Sequence, residues 1–298
     1  YGEHIQRISV DFAFGCPHRR DDGSGGCTFC HDRGYRAPYL HDRGTLHEQV
    51  ETGLAFARKR YKSAAFMAYV QADSGTYGPV EEQRALYTEL LQLHPFRAVS
   101  IGTRPDCLAD DVLDLLAERR RTLDVWVELG VQTSHDDTLR RIRRGHDWDC
   151  SRTAIMKLHE RGIRPAAHVI LGLPGERREH FNRTAEALAA LPVQAVKIHN
   201  LHVLRGTELA AEYKRSPFPV YDEASYADVL IDFLRRLRPD QGIMRITTDS
   251  PDALLIAPRW TMPKARFRAY VEARMRELRA RQGDCVTAPW PSGNRSSI

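Results

Sequence analysis

The chain of 298 residues carries 44 lysines and arginines against 39 aspartates and glutamates, a formal net charge of +5. Hydrophobic residues make up 42% and charged residues 28%, which is ordinary for a soluble globular protein. No apolar run approaches the ~20 residues of a membrane span, so no membrane contact is expected. The first residues lack the features of a secretory signal, and we therefore predict a cytoplasmic protein.

Strand-like and helix-like segments alternate along the first two thirds of the chain. The predicted strands are residues 7–14, 64–71, 98–102, 124–131, 164–171 and 195–203. The predicted helices are residues 46–60, 80–93, 109–120, 136–143, 151–160 and 178–190, with Ser151 as the N-cap of the fifth. This alternation predicts a parallel sheet with helical crossovers, which carries its chemistry at the carboxyl ends of the strands.

The pattern changes after about residue 205. Residues 226–237 and 264–281 have helical spacing, residues 244–248 resemble a strand, and residues 253–257 are apolar. We predict a barrel domain over residues 1–205 and an extension packed on it over residues 206–283. Residues 284–298 are rich in proline, serine and glycine, and we predict a flexible tail there.

Three of the six cysteines lie close together, in the loop that follows the first predicted strand. Ten residues separate Cys16 from Cys27, and two separate Cys27 from Cys30. A two-residue gap allows two thiolates to reach one metal or cluster, and Gly23, Gly25 and Gly26 allow the backbone to fold closely around it. Cys107, Cys150 and Cys285 show no such spacing.

The cysteine spacing alone leaves two kinds of site open. A structural zinc ion needs four ligands, and His18 or His31 could supply the fourth. An iron–sulfur cluster held by three cysteines would instead leave one iron free for a small molecule.

The loop CPHRRDDGSGGCTFC resembles the cluster loop of radical S-adenosylmethionine (SAM) enzymes. It is most similar to the YhcC-like branch, related to Elp3 and oxygen-independent coproporphyrinogen oxidase, in which the first cysteine gap is widened. Further segments resemble that branch in the same order and cover nearly all of residues 5–270: RISVDFAFGCP, IGTRPDCL, VWVELGVQT, HVILGLPGE, KIHNLHVLRGT and LLIAPRW.

The resemblance implies a radical SAM enzyme with an α/β fold, a partial (β/α)6 TIM-type barrel carrying a short C-terminal α/β extension. Cys16, Cys27 and Cys30 would hold a [4Fe-4S] cluster whose free iron chelates SAM. Reductive cleavage of SAM would give a 5′-deoxyadenosyl radical that abstracts hydrogen from a substrate. A reductant protein of the flavodoxin or ferredoxin type is the implied partner.

The resemblance also implies SAM contacts at positions that match the family's motifs. Phe29 would lie near the adenine, Arg144 at the methionyl carboxylate and Gly172 along the adenine, and the remaining candidates are Asp73, Ser74, Thr103, Glu128, Gln132 and His202. The family's Gly-Gly-Glu motif is replaced here by Gln-Ala-Asp-Ser-Gly-Thr at residues 71–76, a departure from the family pattern at Asp73 and Ser74. A buried Glu128 could instead serve a salt bridge, and the strand histidines could be core residues.

The substrate stays open at this stage. Kinship with Elp3-like enzymes and the basic helix at residues 264–281 favour a tRNA base. A small metabolite or peptide is a second possibility. A third, from another class, is a zinc-stabilised nucleic-acid-binding protein without catalysis.

Overall fold

A computed structural model describes residues 2–20, 24–31, 37–40, 44–61 and 65–291. Its strands are β1 (Ile5–Val10), β2 (Ala65–Val70), β3 (Ala98–Thr103), β4 (Asp124–Gln132), β5 (Arg164–Leu171), β6 (Ala195–Asn200), β7 (Val203–Leu204), β8 (Gly242–Arg245) and β9 (Leu255–Ala257). Its helices are α1 (Leu46–Arg60), α2 (Val80–Leu93), α3 (Asp110–Arg119), α4 (Asp136–Arg141), α5 (Trp148–Glu160), α6 (Arg178–Ala189), α7 (Glu208–Arg215), α8 (Glu223–Arg236) and α9 (Lys264–Glu277).

Seven strands form one parallel sheet in the order β1-β2-β3-β4-β5-β6-β8. The sheet curls into a partial barrel, as contacts across its interior show. Arg7 on edge strand β1 lies 2.9 Å from the Glu128 carboxylate on β4 and 3.5 Å from the sulfur of Met244 on the opposite edge strand. The fold is thus an α/β partial TIM barrel, as predicted. Helices cover its convex face, where large buried side chains such as Tyr87, Phe181 and Phe233 form the core.

The segment predicted as an extension contributes a strand to the barrel sheet. Strand β8 overlaps the strand-like segment 244–248 and pairs with β6 as a seventh strand of the sheet. Helix α9 packs through Phe267 against Tyr226 of α8 and Trp260, with ring centroids 5.9 and 5.0 Å apart. The boundary at residue 205 remains a prediction.

The segment predicted as a flexible tail lies partly outside the described residues. Residues 292–298 are not described. Before them, Cys285 N–H donates to the Arg235 carbonyl and Trp290 N–H to the Ala189 carbonyl, both at 2.8 Å.

Two smaller results concern the helices. The N-cap of α5 is Asp147 and not Ser151, because the Asp147 carboxylate accepts the Cys150 N–H at 2.8 Å and the helix begins earlier. Among the described residues, every helix is too short or too polar to cross a lipid bilayer.

Candidate functional site

The three clustered cysteines lie in the loop after β1, at the carboxyl end of the sheet. Cys30 N–H donates to the Cys27 carbonyl at 3.0 Å, which closes a turn between them. Gly25 has a positive φ of 81°, and a β-carbon there would lie 2.8 Å from the His18 carbonyl oxygen. A glycine is therefore required at this turn; Gly23, also singled out from the sequence, lies outside the described residues.

Two arginines donate hydrogen bonds to cysteine sulfurs. Arg19 Nη2 lies 3.2 Å from Cys30 Sγ, and Arg144 Nη1 lies 3.4 Å from Cys27 Sγ. The opposite edge of the Arg144 guanidinium donates to the Gly130 carbonyl on β4, with distances of 3.0 Å from Nε and 2.7 Å from Nη2. Cationic donors at these positions stabilise negative charge on the sulfurs.

A hydrogen bond between His18 and Asp106 anchors the loop to the end of β3. His18 Nε2 lies 3.1 Å from Asp106 Oδ2, and Arg104 donates two hydrogen bonds of 2.9 Å to the same carboxylate. Arg104 also donates to the Arg144 carbonyl at 2.6 Å. Although burial opposes ionisation of Asp106, the Arg104 guanidinium holds the pKa of this carboxyl below its usual value. His18, a candidate zinc ligand from the sequence, is thus hydrogen-bonded to a carboxylate.

The surroundings of the cysteines fit a bound inorganic group and its ligand. Three buried polar atoms here have no hydrogen-bond partner among the described residues: Thr28 Oγ1, Arg104 Nη1 and His146 Nε2. Such unpaired polar groups are expected where a ligand completes the site. No three metal-binding side chains of the described residues converge on one ion position. This result does not conflict with a cubane cluster, in which each cysteine binds a different iron and the three cysteine sulfurs do not meet at one point.

Deeper in the barrel, Glu128 is fully buried and its carboxylate has four polar partners. Its Oε1 accepts from Arg7 at 2.9 Å and Ser100 at 2.7 Å, and its Oε2 faces Lys197 at 2.8 Å and His168 at 2.6 Å. The Lys197 ammonium also donates to the Tyr69 hydroxyl at 2.8 Å. These partners match the salt-bridge alternative weighed from the sequence, and a SAM contact by Glu128 stays a prediction.

We call this polar layer, together with Arg245 on β8, the inner ring. Its members are Arg7, Tyr69, Ser100, Glu128, His168, Lys197 and Arg245. Burial works against ionisation of Glu128, but Lys197, His168 and Arg7 together hold its pKa well below the usual value. Burial lowers the pKa of Lys197 to about 8 and that of His168 to about 4. At neutral pH the carboxylate is therefore ionised and His168 is uncharged.

Candidates on β2, β3 and β4 lie around the mouth of the barrel. Ser74 is buried, and its N–H donates to the Gly15 carbonyl at 2.9 Å, next to Cys16. The Thr103 hydroxyl is 2.7 Å from that of Thr76, which in turn donates to the Cys107 carbonyl. Asp73 and Gln132 have positive φ values of 50° and 71°, so both stand at sharp changes of chain direction. Whether these residues contact SAM stays a prediction.

The last three candidates lie among hydrophobic and polar packing near β5 and β6. Phe29 packs on a small apolar cluster that includes Ile142 and Leu201. A β-carbon added at Gly172 would meet Leu201 at 3.3 Å. Both ring nitrogens of His202 have partners, Ser250 at 2.6 Å and Asn200 at 2.8 Å, and burial lowers its pKa to about 4. His202 is therefore a neutral ring held by the protein.

Most residues of the inner ring were not predicted from the sequence as site residues. Arg7, Tyr69, Lys197 and Arg245 were not singled out, although each lies within a predicted strand or at its end. The available signal was a charged residue inside an apolar strand, as in the segment AVKIHN around Lys197. Charges that interrupt a buried strand must have a partner or a ligand.

Comparison with known families and curated proteins gives consistent matches. Residues 10–188 match the Radical SAM superfamily, and residues 193–277 match the Radical_SAM C-terminal domain. YtqA of Bacillus subtilis is 37% identical over 270 residues, covering 89% of this chain and 82% of YtqA. YhcC of Escherichia coli is 31% identical over 294 residues, covering 97% and 93%. A tRNA uridine(34) acetyltransferase of Methanocaldococcus infernus is 28% identical over 167 residues, 55% of this chain but only 30% of that protein.

Among solved structures, the archaeal Methanocaldococcus infernus Elp3 with an N-terminal deletion has a similar fold. Its TM-score is 0.75 at 18% identity, over 94% of this chain and 64% of the Elp3 chain. The chain belongs to the radical SAM superfamily, is an enzyme of the radical SAM type, and falls in the YhcC-like, Elp3-related branch.

Proposed function

We propose that this enzyme holds a [4Fe-4S] cluster through Cys16, Cys27 and Cys30 and cleaves SAM reductively at that cluster. The observation that carries the proposal is the contact between Arg144 and Cys27, which links the cysteine loop to the end of β4. When bound, the cluster would supply one electron for the cleavage of SAM into methionine and a 5′-deoxyadenosyl radical. A reductant protein of the flavodoxin or ferredoxin type would provide that electron, in the cytoplasm.

The chain's own residues would position and tune these groups. Arg19 and Arg144 donate to the sulfurs of Cys30 and Cys27, and hydrogen bonds to ligand sulfurs make a cluster easier to reduce. Arg104 Nη1 and Thr28 Oγ1, which have no hydrogen-bond partner among the described residues, would contact SAM. A substrate in the barrel would then lose one hydrogen atom, as its C–H bond breaks and the hydrogen joins the 5′ carbon.

The test is anaerobic reconstitution with iron and sulfide, followed by spectroscopy. We expect absorption at about 400 nm and, after reduction, an electron paramagnetic resonance signal that changes when SAM is added. Cys27→Ala should abolish the signal, whereas the matched control Cys150→Ala should retain it. About one tightly held zinc per chain, with no such absorption, would contradict the proposal.

A tRNA base is one candidate substrate. It is favoured by the similarity to the tRNA uridine(34) acetyltransferase and by helix α9, where Arg266 and Arg276 are exposed. Other arginines of α9 are paired, Arg268 with Glu272 at 2.8 Å and Arg274 with Asp228 at 3.3 Å. A gel shift with bulk tRNA at several salt concentrations tests this candidate, because phosphate contacts weaken steeply as salt increases.

A further inference from the structure

The inner ring carries more positive than negative charge. It contains three basic residues that are cationic at neutral pH, Arg7, Lys197 and Arg245, and one carboxylate, Glu128. Arg7 and Lys197 both bind that carboxylate, at 2.9 and 2.8 Å. One positive charge balances Glu128, and the ring therefore retains an excess of positive charge inside the barrel.

Arg245 is the ring cation that has no carboxylate partner among the described residues. It pairs in register with Lys197 on the adjacent parallel strand, so the two side chains lie on the same face of the sheet. Its one hydrogen bond among the described residues is to the Thr248 hydroxyl, at 3.3 Å, and no ion pair is found for it there. The neighbouring carboxylate of Asp249 is paired with Lys264 at 2.7 Å. Burial and the nearby Arg7 lower the pKa of Arg245.

The layer above the inner ring carries a small residue and a buried polar atom that is unpaired among the described residues. Strand β3 carries Gly102 at this level, and a β-carbon there would meet nothing closer than the Val70 carbonyl at 3.5 Å. His199 lies two residues after Lys197 on the same face of β6. Its buried Nε2 has no hydrogen-bond partner among the described residues, and its ring lies 5.6 Å from that of His168.

This layer also lies next to the cysteine loop. Gly130, whose carbonyl binds Arg144, follows Glu128 by two residues on the same face of β4. Two residues of a strand span about 7 Å, so a molecule on the inner ring would lie directly below the Arg144–Cys27 contact. A group bound there is within reach of a radical formed at the barrel mouth.

We propose that the barrel binds a small organic acid as substrate, with its carboxylate on the Arg245 guanidinium and within hydrogen-bond reach of His199 Nε2. The inference rests on the proposed function and names the substrate class for that site. A planar carboxylate matches the guanidinium fork and neutralises the excess charge. A neutral nucleobase would leave the buried charge without compensation, which is costly.

The test measures binding on the anaerobically reconstituted protein without reductant, so that SAM is not consumed. Calorimetry would use a panel of short mono-, di- and tricarboxylic acids, each beside its neutral amide, with bulk tRNA as a separate ligand. Arg245→Gln should weaken binding of the acid about tenfold or more, and Arg245→Lys, which keeps the charge but not the fork, should weaken it less. The matched control is Arg161→Gln, which removes an arginine paired with Asp114 on the outer surface.

The outcomes separate this inference from the proposed function. An acid that binds while its amide does not, with affinity lost in Arg245→Gln and kept in Arg161→Gln, supports the carboxylate site. No acid bound, equal binding of acid and amide, wild-type affinity in Arg245→Gln, or binding of tRNA alone would each overturn it. Cleavage of SAM by the same preparation is read separately after reduction, so either result can fail while the other holds.

Discussion

Arg144 Nη1 lies 3.4 Å from Cys27 Sγ, although the two are 117 positions apart in the chain. The same guanidinium holds the Gly130 carbonyl at the end of β4, and the Arg144 carbonyl accepts a hydrogen bond from Arg104. One arginine therefore fixes the cysteine loop to two strand ends. The position of the loop over the barrel follows from buried contacts and not from the loop sequence alone.

We predict that Arg19→Gln lowers the reduction potential of the reconstituted cluster. The substitution removes a cationic donor 3.2 Å from Cys30 Sγ, and the reduced cluster is then less stabilised. The expected shift is on the order of tens of millivolts, measured by anaerobic redox titration. Arg20→Gln is the control, because the neighbouring Arg20 is exposed. Equal potentials in the two variants would show that the Arg19 contact does not tune the cluster.

We predict that Gly145→Ala destabilises the protein and loosens the cysteine loop. A β-carbon at this position would overlap the His18 ring, and φ is +79°, which side chains disfavour. The expected loss is about 2–3 kcal/mol in the free energy of unfolding, measured by urea denaturation. Gly242→Ala, whose β-carbon would meet its nearest neighbour at 3.5 Å, should change stability little. The prediction fails if both variants unfold like the wild type.

We predict that Glu128→Gln strongly destabilises the barrel. The change leaves Arg7 and Lys197 without their shared carboxylate in a fully buried position. Removing one partner of such a buried network costs about 3–5 kcal/mol. Chemical denaturation at pH 7 measures the loss, with Glu118→Gln as control, because Glu118 pairs with Arg84 at the surface. A variant as stable as the wild type would mean that the inner ring does not depend on this charge.

We predict that the stability difference between wild type and Glu128→Gln decreases in acid. The pKa of Glu128 is held well below 4.5 in the folded protein, so its stabilising charge is fully present above the unfolded value. The advantage is lost as pH falls from that unfolded value through the folded one. Denaturation of both proteins in a series of buffers from neutral to acidic pH gives the difference directly. A difference that stays constant, or increases in acid, would reverse the sign of this linkage.

The sequence was sufficient to predict the barrel and to place the cysteine loop after its first strand. Strand–helix alternation and the spacing of Cys16, Cys27 and Cys30 are local patterns, and the resemblance extends over most of the chain. The inner ring could not be read in this way, because Arg7, Glu128 and Lys197 meet only when distant strands curl around one axis. The sequence also did not predict that strand β8 belongs to the barrel sheet, because its pairing with β6 joins segments that are distant in the chain.

The most direct test of the central claim is the amount of 5′-deoxyadenosine formed from SAM by the anaerobically reconstituted, reduced enzyme. The account predicts that the wild type forms 5′-deoxyadenosine and methionine in a one-to-one ratio, and that Cys107→Ala does the same. It predicts none above background from Cys16→Ala, Cys27→Ala or Cys30→Ala. A wild-type preparation with its iron–sulfur cluster intact that forms no 5′-deoxyadenosine, or three cysteine variants that form as much as the wild type, would contradict it.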